Sequence, residues 1–242
     1  MGAGRIGRHE FVPRRAELPA RDSQVIVVHD DPSEASAAAH ELHALGYQHV
    51  HWLDAPLGTI PGGHEARSHA ARLWRPSPFL ERIAPMLTPK GSVLDLAAGS
   101  GRESVWMASC GYEVHAWDRA AEALERAEAL ARREQVQLHT RIVDLERRTL
   151  PSPGKHDVVM VFRFLHRLIL PWIADAVAPG GMLVYETYAK GQERFGRPKH
   201  PRFLFQSGEI ARSFPDLRVL VHEEPSPDEG PILARVVAVR DP

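Results

Sequence analysis

The chain has 242 residues, 43% of them hydrophobic and 25% charged, with a formal net charge of −1. That balance excludes a disordered or fibrous chain and leaves no global field to draw nucleic acid or an anionic membrane surface. The lone cysteine, Cys110, excludes an internal disulfide and leaves a cysteine-based zinc site without its ligands. No stretch approaches the ~20 apolar residues of a membrane span. Met1–Glu10 has charge but no apolar run of a secretory signal after it, and Ile6 stands where myristoylation expects Ser or Thr. A cytoplasmic protein with no membrane partner is expected.

In chain order, Gln24–His29 (QVIVVH) is a short β-branched run that predicts a buried strand. Ser33 is placed to cap a helix with Glu34 in its first turn, running through alanines to Leu45, and Gly46 stands where a left-handed residue ends it. His49–Leu53 alternates like a second strand. Strand, helix and strand in so short a span predict one βαβ unit with parallel strands. This unit resembles the second half of a rhodanese-like domain. That resemblance implies a reactive cysteine after the first strand, but the loop reads His29-Asp30-Asp31-Pro32-Ser33, so sulfur transfer lacks its thiolate. Residues 1–58 are therefore read as a truncated, degenerate remnant, and the Gly- and Pro-rich residues 59–76 as a linker partly ordered by Leu73 and Trp74.

From residue 77 to 242 strands alternate with helices. Ser92–Leu96, Tyr112–Trp117, Leu138–Val143, Asp157–Phe162 and Gly181–Thr187 read as strands, with the clearest helix at Ala120–Glu134. Leu217–Glu223 and Ile232–Val239, joined by a short Pro- and Gly-containing turn, predict a closing antiparallel pair. The fold class is α/β: a doubly wound, mostly parallel sheet with ligand sites at the strands' C-terminal ends, plus the small N-terminal βαβ unit.

The first of these strands runs into Asp95-Leu96-Ala97-Ala98-Gly99-Ser100-Gly101-Arg102. A carboxylate followed by a small-residue turn brings backbone close to a ligand. Gly99 and Gly101 are expected to leave room for a nucleoside, and Asp95 to accept hydrogen bonds from the loop or from a ligand amino group. Asp118 ends the next strand (HAWD), where an acid accepts ribose hydroxyls, and Asp144 ends the third, where an acid meets an adenine amino group. A dinucleotide domain fits less well, because the fingerprint G-x-G-x-x-G is absent and an acid precedes the glycines.

These acids, the motif LDLAAGSGR and the turn Pro179-Gly180-Gly181 together resemble class I S-adenosylmethionine-dependent methyltransferases over residues 77–242. DLAAGSGRES, HAWD and TRIVDLE are similar to the tellurite-resistance branch of small-molecule methyltransferases. Ala97 departs from the glycine usual at its position. The resemblance implies a seven-stranded Rossmann-like sheet with one antiparallel strand and S-adenosylmethionine as cofactor. It implies cofactor contacts from Asp95, Ala97, Gly99, Gly101, Arg102, Asp118, Arg119, Asp144, Leu145 and Phe162. A non-catalytic cofactor-binding regulator, with the N-terminal unit as its interaction surface, is the alternative.

The acceptor should sit near the ends of the fourth and fifth strands. Arg163, His166, Glu186 and Tyr188 are the catalytic candidates there, with Phe162 and Phe164 as walls; Tyr185 reads as acceptor-side or core. Lys190–Phe205 follows, carrying Lys190, Arg194, Arg197, Lys199 and Arg202, and its place suits a lid that selects a small, anionic acceptor. Nucleic acid is not expected as a partner. The pairs His40/His43 and His49/His51 have ligand-like spacing, but no metal is expected. Ala121, Leu124, Ala127, Leu130 and Ala131 form a stripe that packs on a sheet, and Cys110 is expected to be buried.

Overall fold

The computed structural model describes residues 5–55, 72–88, 90–224 and 231–242. The chain divides into two compact units, Met1–Arg75 and Pro76–Pro242. Residues 59–71 of the predicted 59–76 linker and the turn at 225–230 lie outside the described residues; Trp74, near the linker's end, is buried.

In the first unit, β1 (Gln24–Val27), α1 (Pro32–Ala44) and β2 (His49–Trp52) form the expected βαβ, with β1 and β2 parallel and Gln24 opposite His49. The cap of α1 is Asp31 rather than Ser33: its carboxylate accepts the Ser33 N–H at 2.9 Å while Pro32 fixes the first helical residue. Gly46, at φ 93°, closes the helix with bonds from its own N–H to His43 O and from Tyr47 N–H to Leu42 O, so the predicted stop is realised. β1 is not the buried strand its composition predicts, since Ile26 is 65% exposed. Among the described residues, α1 and the N-terminal turns pack on this two-stranded sheet through Phe11, Leu18, Leu42 and Val50. The paired histidines are committed elsewhere: His40 Nδ1 lies 2.8 Å from Ser36 O and His43 Nδ1 3.0 Å from Tyr47 O. Among the described residues no group of three or more His, Cys, Asp or Glu is arranged to hold a metal ion.

The second unit opens with α2 (Pro78–Ile83) and then alternates β3 (Ser92–Leu96), α3 (Arg102–Ser109), β4 (Glu113–Asp118), α4 (Ala121–Arg133), β5 (His139–Ile142) and β6 (His156–Phe162). α5 (Leu170–Asp175), β7 (Val177–Tyr188), α6 (Glu209–Arg212), β8 (Arg218–Glu223) and β9 (Leu233–Val239) follow. The sheet has seven strands in the order β5-β4-β3-β6-β7-β9-β8, all parallel except β9. It is the doubly wound, mostly parallel sheet with one antiparallel strand that the resemblance implies, and the chain order reverses between β3 and β6. Strand residues alternate between two cores. Val93, Val158, Met160 and Val184 face one layer with Phe79 and Leu80; Leu94, Leu96, Val159, Val161 and Leu183 face the other. Burial on both faces explains why β6 reads as an unbroken apolar run. Four residues of the α4 stripe, Leu124, Ala127, Leu130 and Ala131, are buried as expected, while Ala121 is half-buried and Ala123 completes the buried face.

Two local expectations fail. Pro179-Gly180-Gly181 is not a turn before the strand but lies inside β7, where Gly180 takes φ 75° and donates to Arg240 O at 2.8 Å. A side chain on Gly181 would stand 2.9 Å from two carbonyl oxygens, Ala178 O and His156 O, so the glycine allows the kinked backbone to close. Cys110 is exposed, because it caps the last turn of α3 just before the left-handed Gly111. No helix among the described residues is long and apolar enough to cross a membrane.

Candidate active site

A cavity of about 850 Å³ opens over the C-terminal ends of β3, β4, β5, β6 and β7, wholly within the second unit. Its first wall comes from Ala97, Asp118, Arg119 and the segment Val143–Glu146. Asp118, the last residue of β4, spans two neighbours: Oδ2 accepts the Gly99 N–H and Oδ1 the Ala120 N–H, both at 2.8 Å. The acid thereby ties the loop after β3 to the start of α4. Asp144 Oδ1 accepts the Glu146 N–H at 3.0 Å, and Arg119 pairs with Glu146 at 3.2 Å.

Five of the ten predicted cofactor residues line this cavity: Ala97, Arg119, Asp118, Asp144 and Leu145. Asp95 does not. It is 2% exposed, its Oδ2 lies 2.5 Å from Ser104 Oγ, and burial pushes its carboxyl up to about 8, so it is protonated at neutral pH. Asp95 thus ties the end of β3 to Ser104 of α3 from inside. Gly99 and Gly101 also differ from one another. A Cβ on Gly99 would meet nothing within 4 Å, whereas one on Gly101 would stand 2.5 Å from Ala127 Cβ, so Gly101 serves the approach of α3 to α4 rather than a ligand. Arg102 begins α3 away from the wall. Phe162 packs with Phe79 and Met160 in the opposite core layer, because strand parity turns it away from the cavity; Phe164 lines it instead.

The second wall comes from Arg163, Phe164, Leu165, Thr187 and Tyr188 together with Arg197–His200, Arg202 and Phe203. Arg163, directly after β6, holds a left-handed φ of 59°; its guanidinium sits 5.2 Å from the Tyr188 ring and 3.4 Å from Glu186 Oε1. A non-glycine residue in that region stores strain of a kind that gathers at functional sites. Glu186 itself, predicted at the acceptor, is 1% exposed and engaged on both oxygens: Ser77 Oγ donates to Oε1 at 2.8 Å and Arg235 Nε to Oε2 at 2.6 Å. It is an internal anchor that joins the start of α2 to β7 and β9, because alternation along β7 points residue 186 away from residues 185 and 187. His166 does not line the cavity; its carbonyl accepts from Ile169 and caps the short turn Arg167–Ile169. Tyr185 is core, its hydroxyl donating to Phe164 O at 3.0 Å between Phe205 and Phe214.

The basic segment is fixed at its base. Lys190 N–H donates to Phe205 O at 2.8 Å and Phe205 N–H to Tyr188 O at 3.0 Å. Arg167 holds its far end through Arg202 O (2.9 Å), Leu204 O (2.7 Å) and Glu209. Gln192, buried, accepts the Ile232 N–H at 2.7 Å. Of the cations in this segment, Arg197, Lys199 and Arg202 reach the cavity, while Arg194 folds onto Phe195. Thr187, Val143, His200 and Phe203 line the site without having been singled out; only their adjacency to Tyr188, Asp144 and the basic run could have marked them.

The family model described as tellurite resistance protein TehB matches residues 81–227. Among solved structures, TehB from Haemophilus influenzae is similar with a TM-score of 0.57 at 17% identity, over 67% of this chain and 62% of that one. An S-adenosylmethionine-dependent methyltransferase from Mesorhizobium loti aligns with a TM-score of 0.53 at 18% identity, over 66% of this chain and 96% of that one. Magnesium protoporphyrin IX methyltransferase from Synechocystis, solved with bound S-adenosylmethionine, gives 0.52 at 16% identity, over 66% and 74%. An uncharacterized Schizosaccharomyces pombe protein is 23% identical over 81% of this chain and 74% of its own length. With the family match spanning most of the chain and the strand order found independently, the protein belongs to the tellurite resistance protein TehB family of methyltransferases.

Proposed function

We propose that this chain transfers a methyl group from S-adenosylmethionine to a small-molecule acceptor bound in the same cavity. The observation that carries this reading is Asp118 at the end of β4, on the cavity wall with one N–H donor on each oxygen. A carboxylate oxygen accepts more than one hydrogen bond, so both retain capacity for the ribose hydroxyls. Asp144, one strand further out, is placed for the adenine amino group, and Leu145 and Val143 offer apolar surface to the ring. The space beside Gly99 is open, and about 850 Å³ is near the upper end of the ~300–1,000 Å³ of ordinary ligand pockets. That leaves room for a second molecule.

When bound, the cofactor supplies a methyl group on a positively charged sulfur. What this chain contributes is placement. Asp118 and Asp144 fix the nucleoside, and the wall of Arg163, Tyr188 and the basic segment fixes the acceptor opposite. Alignment of reacting groups accounts for a large part of the barrier reduction in such displacements.

The test is calorimetric titration of S-adenosylmethionine into the wild type and Asp118→Ala. Binding to the wild type should weaken about tenfold to a hundredfold in the variant, the worth of one or two charge-assisted hydrogen bonds. Since Asp118 also holds Gly99 and Ala120, a urea melt of the variant checks that it is folded. Absence of binding to folded wild type would overturn the reading.

A further inference from the structure

The cavity contains many charged groups, yet among the described residues none is placed to take a proton from an acceptor. Glu186 is buried with both oxygens engaged, and His166 lies off the wall. His200 does line it, but its Nδ1 accepts the Arg202 N–H at 3.2 Å, so the neutral ring carries its proton on Nε2 and presents a donor. Asp118 and Asp144 hold backbone N–H groups at the nucleoside end, and Glu146 is paired with Arg119. Among the described residues, a nucleophile that had to lose a proton would find no free base on the cavity wall.

The opposite wall selects for charge. Arg197, Lys199 and Arg202 pair with no carboxylate among the described residues, and the Arg202 guanidinium lies over Phe203, 4.3 Å from the ring centroid. The same wall is also apolar: Phe164, Leu165, Tyr188 and Phe203 face the cavity between the cations. A small inorganic oxyanion would satisfy the charges and leave these faces, and most of the volume, to water. A flat organic body would cover them.

We infer that the acceptor is an organic carboxylate on a flat apolar body, held by Arg197, Lys199 and Arg202 and methylated on its carboxylate oxygen without a general base. The inference rests on the methyltransferase reading. A carboxylate is already ionised at neutral pH. Its oxygen lone pair forms the new C–O bond as the methyl C–S bond breaks and that electron pair returns to sulfur. The products are a neutral ester and a thioether, and no proton moves. The ester has lost the charge that the basic segment holds, which favours its release.

The test uses protein loaded with S-adenosylhomocysteine and titrated with benzoate and 1-naphthoate, against benzamide, 1-naphthamide and tellurite. The acids should bind about tenfold or more tightly than their amides, with naphthoate ahead of benzoate. The preference should disappear in the double variant Arg197→Ala, Arg202→Ala while S-adenosylhomocysteine affinity is kept. Turnover of the preferred acid should be flat with pH above about 6, since a carboxylate is fully ionised there. Equal binding of acids and amides, binding of tellurite but neither acid, or turnover that climbs with pH to about 9 would each overturn the inference and leave the methyltransferase reading standing. Failure of S-adenosylhomocysteine to bind at all would instead remove the reading on which it rests.

Discussion

The two walls of the cavity are built by different means. The acidic wall stands on strand ends: Asp118 closes β4 and Asp144 follows β5, and each carboxylate is oriented by backbone N–H groups one or two residues away or in the adjoining loop. The basic wall stands on a loop between β7 and α6 whose cations reach the cavity only because Arg167, Gln192 and the Tyr188–Phe205 pairing hold its ends. The first kind of wall is a property of local sequence on a regular scaffold. The second depends on contacts made far along the chain. A nucleoside shared by many enzymes suits the former, and an acceptor particular to one enzyme suits the latter.

Three tests probe this comparison. The largest effect is expected at the joint below the basic wall. Glu186→Ala removes the buried carboxylate that faces Ser77, Arg163 and Arg235, leaving Arg235 underpaired, and should cost about 3–5 kcal/mol of stability in urea melts. A cost below about 1 kcal/mol would show that the anchor is replaceable and that the basic wall does not depend on it.

Asp95→Asn probes the acidic side, where an aspartate at the end of β3 is protonated while its neighbour Asp118 is oriented for binding. The folded-state value of Asp95 is raised from 3.8 to about 8. The folded state therefore keeps a proton that the unfolded chain gives up, and this contribution is full below pH ~4 and is lost as pH rises toward ~8. An amide at this position does not titrate, so the variant should gain on the wild type between pH 5 and 8 by more than about 1 kcal/mol, the worth of one pKa unit. Parallel denaturation curves at the two pH values with no change in the gap would refute a buried neutral Asp95.

The smallest effect compares the two strand ends that flank the chain reversal. Ala97 after β3 and Arg163 after β6 both hold φ 59°. Ala97→Gly should relieve strain and stabilise by about 1 kcal/mol, measurable as a raised melting temperature. Arg163→Gly relieves the same backbone but loses the contacts to Tyr188 and Glu186, so it should not stabilise. Equal gains at both would mean that the Arg163 side chain contributes nothing to the wall.

Much of the acidic wall was legible beforehand. Asp118, Asp144, Ala97 and Leu145 lie next to strand ends that β-branched runs mark plainly, and strand ends of a doubly wound sheet converge on one crevice. Asp95, in the same motif as Ala97, and Phe162, at the end of β6, do not line the cavity, because pleating sends alternate residues to opposite faces and the sequence does not say which face is the ligand's. Glu186 was misread for the same reason. Gly101 looked like a ligand glycine, but its contact is Ala127, 26 positions later in the chain. The first unit shows a parallel limit: β1 has the composition of a buried strand, but burial needs a layer on each face, and among the described residues one helix and the N-terminal turns pack on this sheet.

Sequence alone determined the alternation of strands and helices, the antiparallel end of the sheet, the cofactor motif and the acids at its strand ends, since each is a matter of local periodicity and capping. Only the tertiary structure decided which of these groups share a cavity. It withdrew Glu186 and His166 from the cavity wall, buried Asp95 as a neutral acid, and brought Arg197, Lys199 and Arg202 into the cavity that Asp118 lines. Those outcomes depend on strand parity, long-range packing and desolvation, which no window of residues contains.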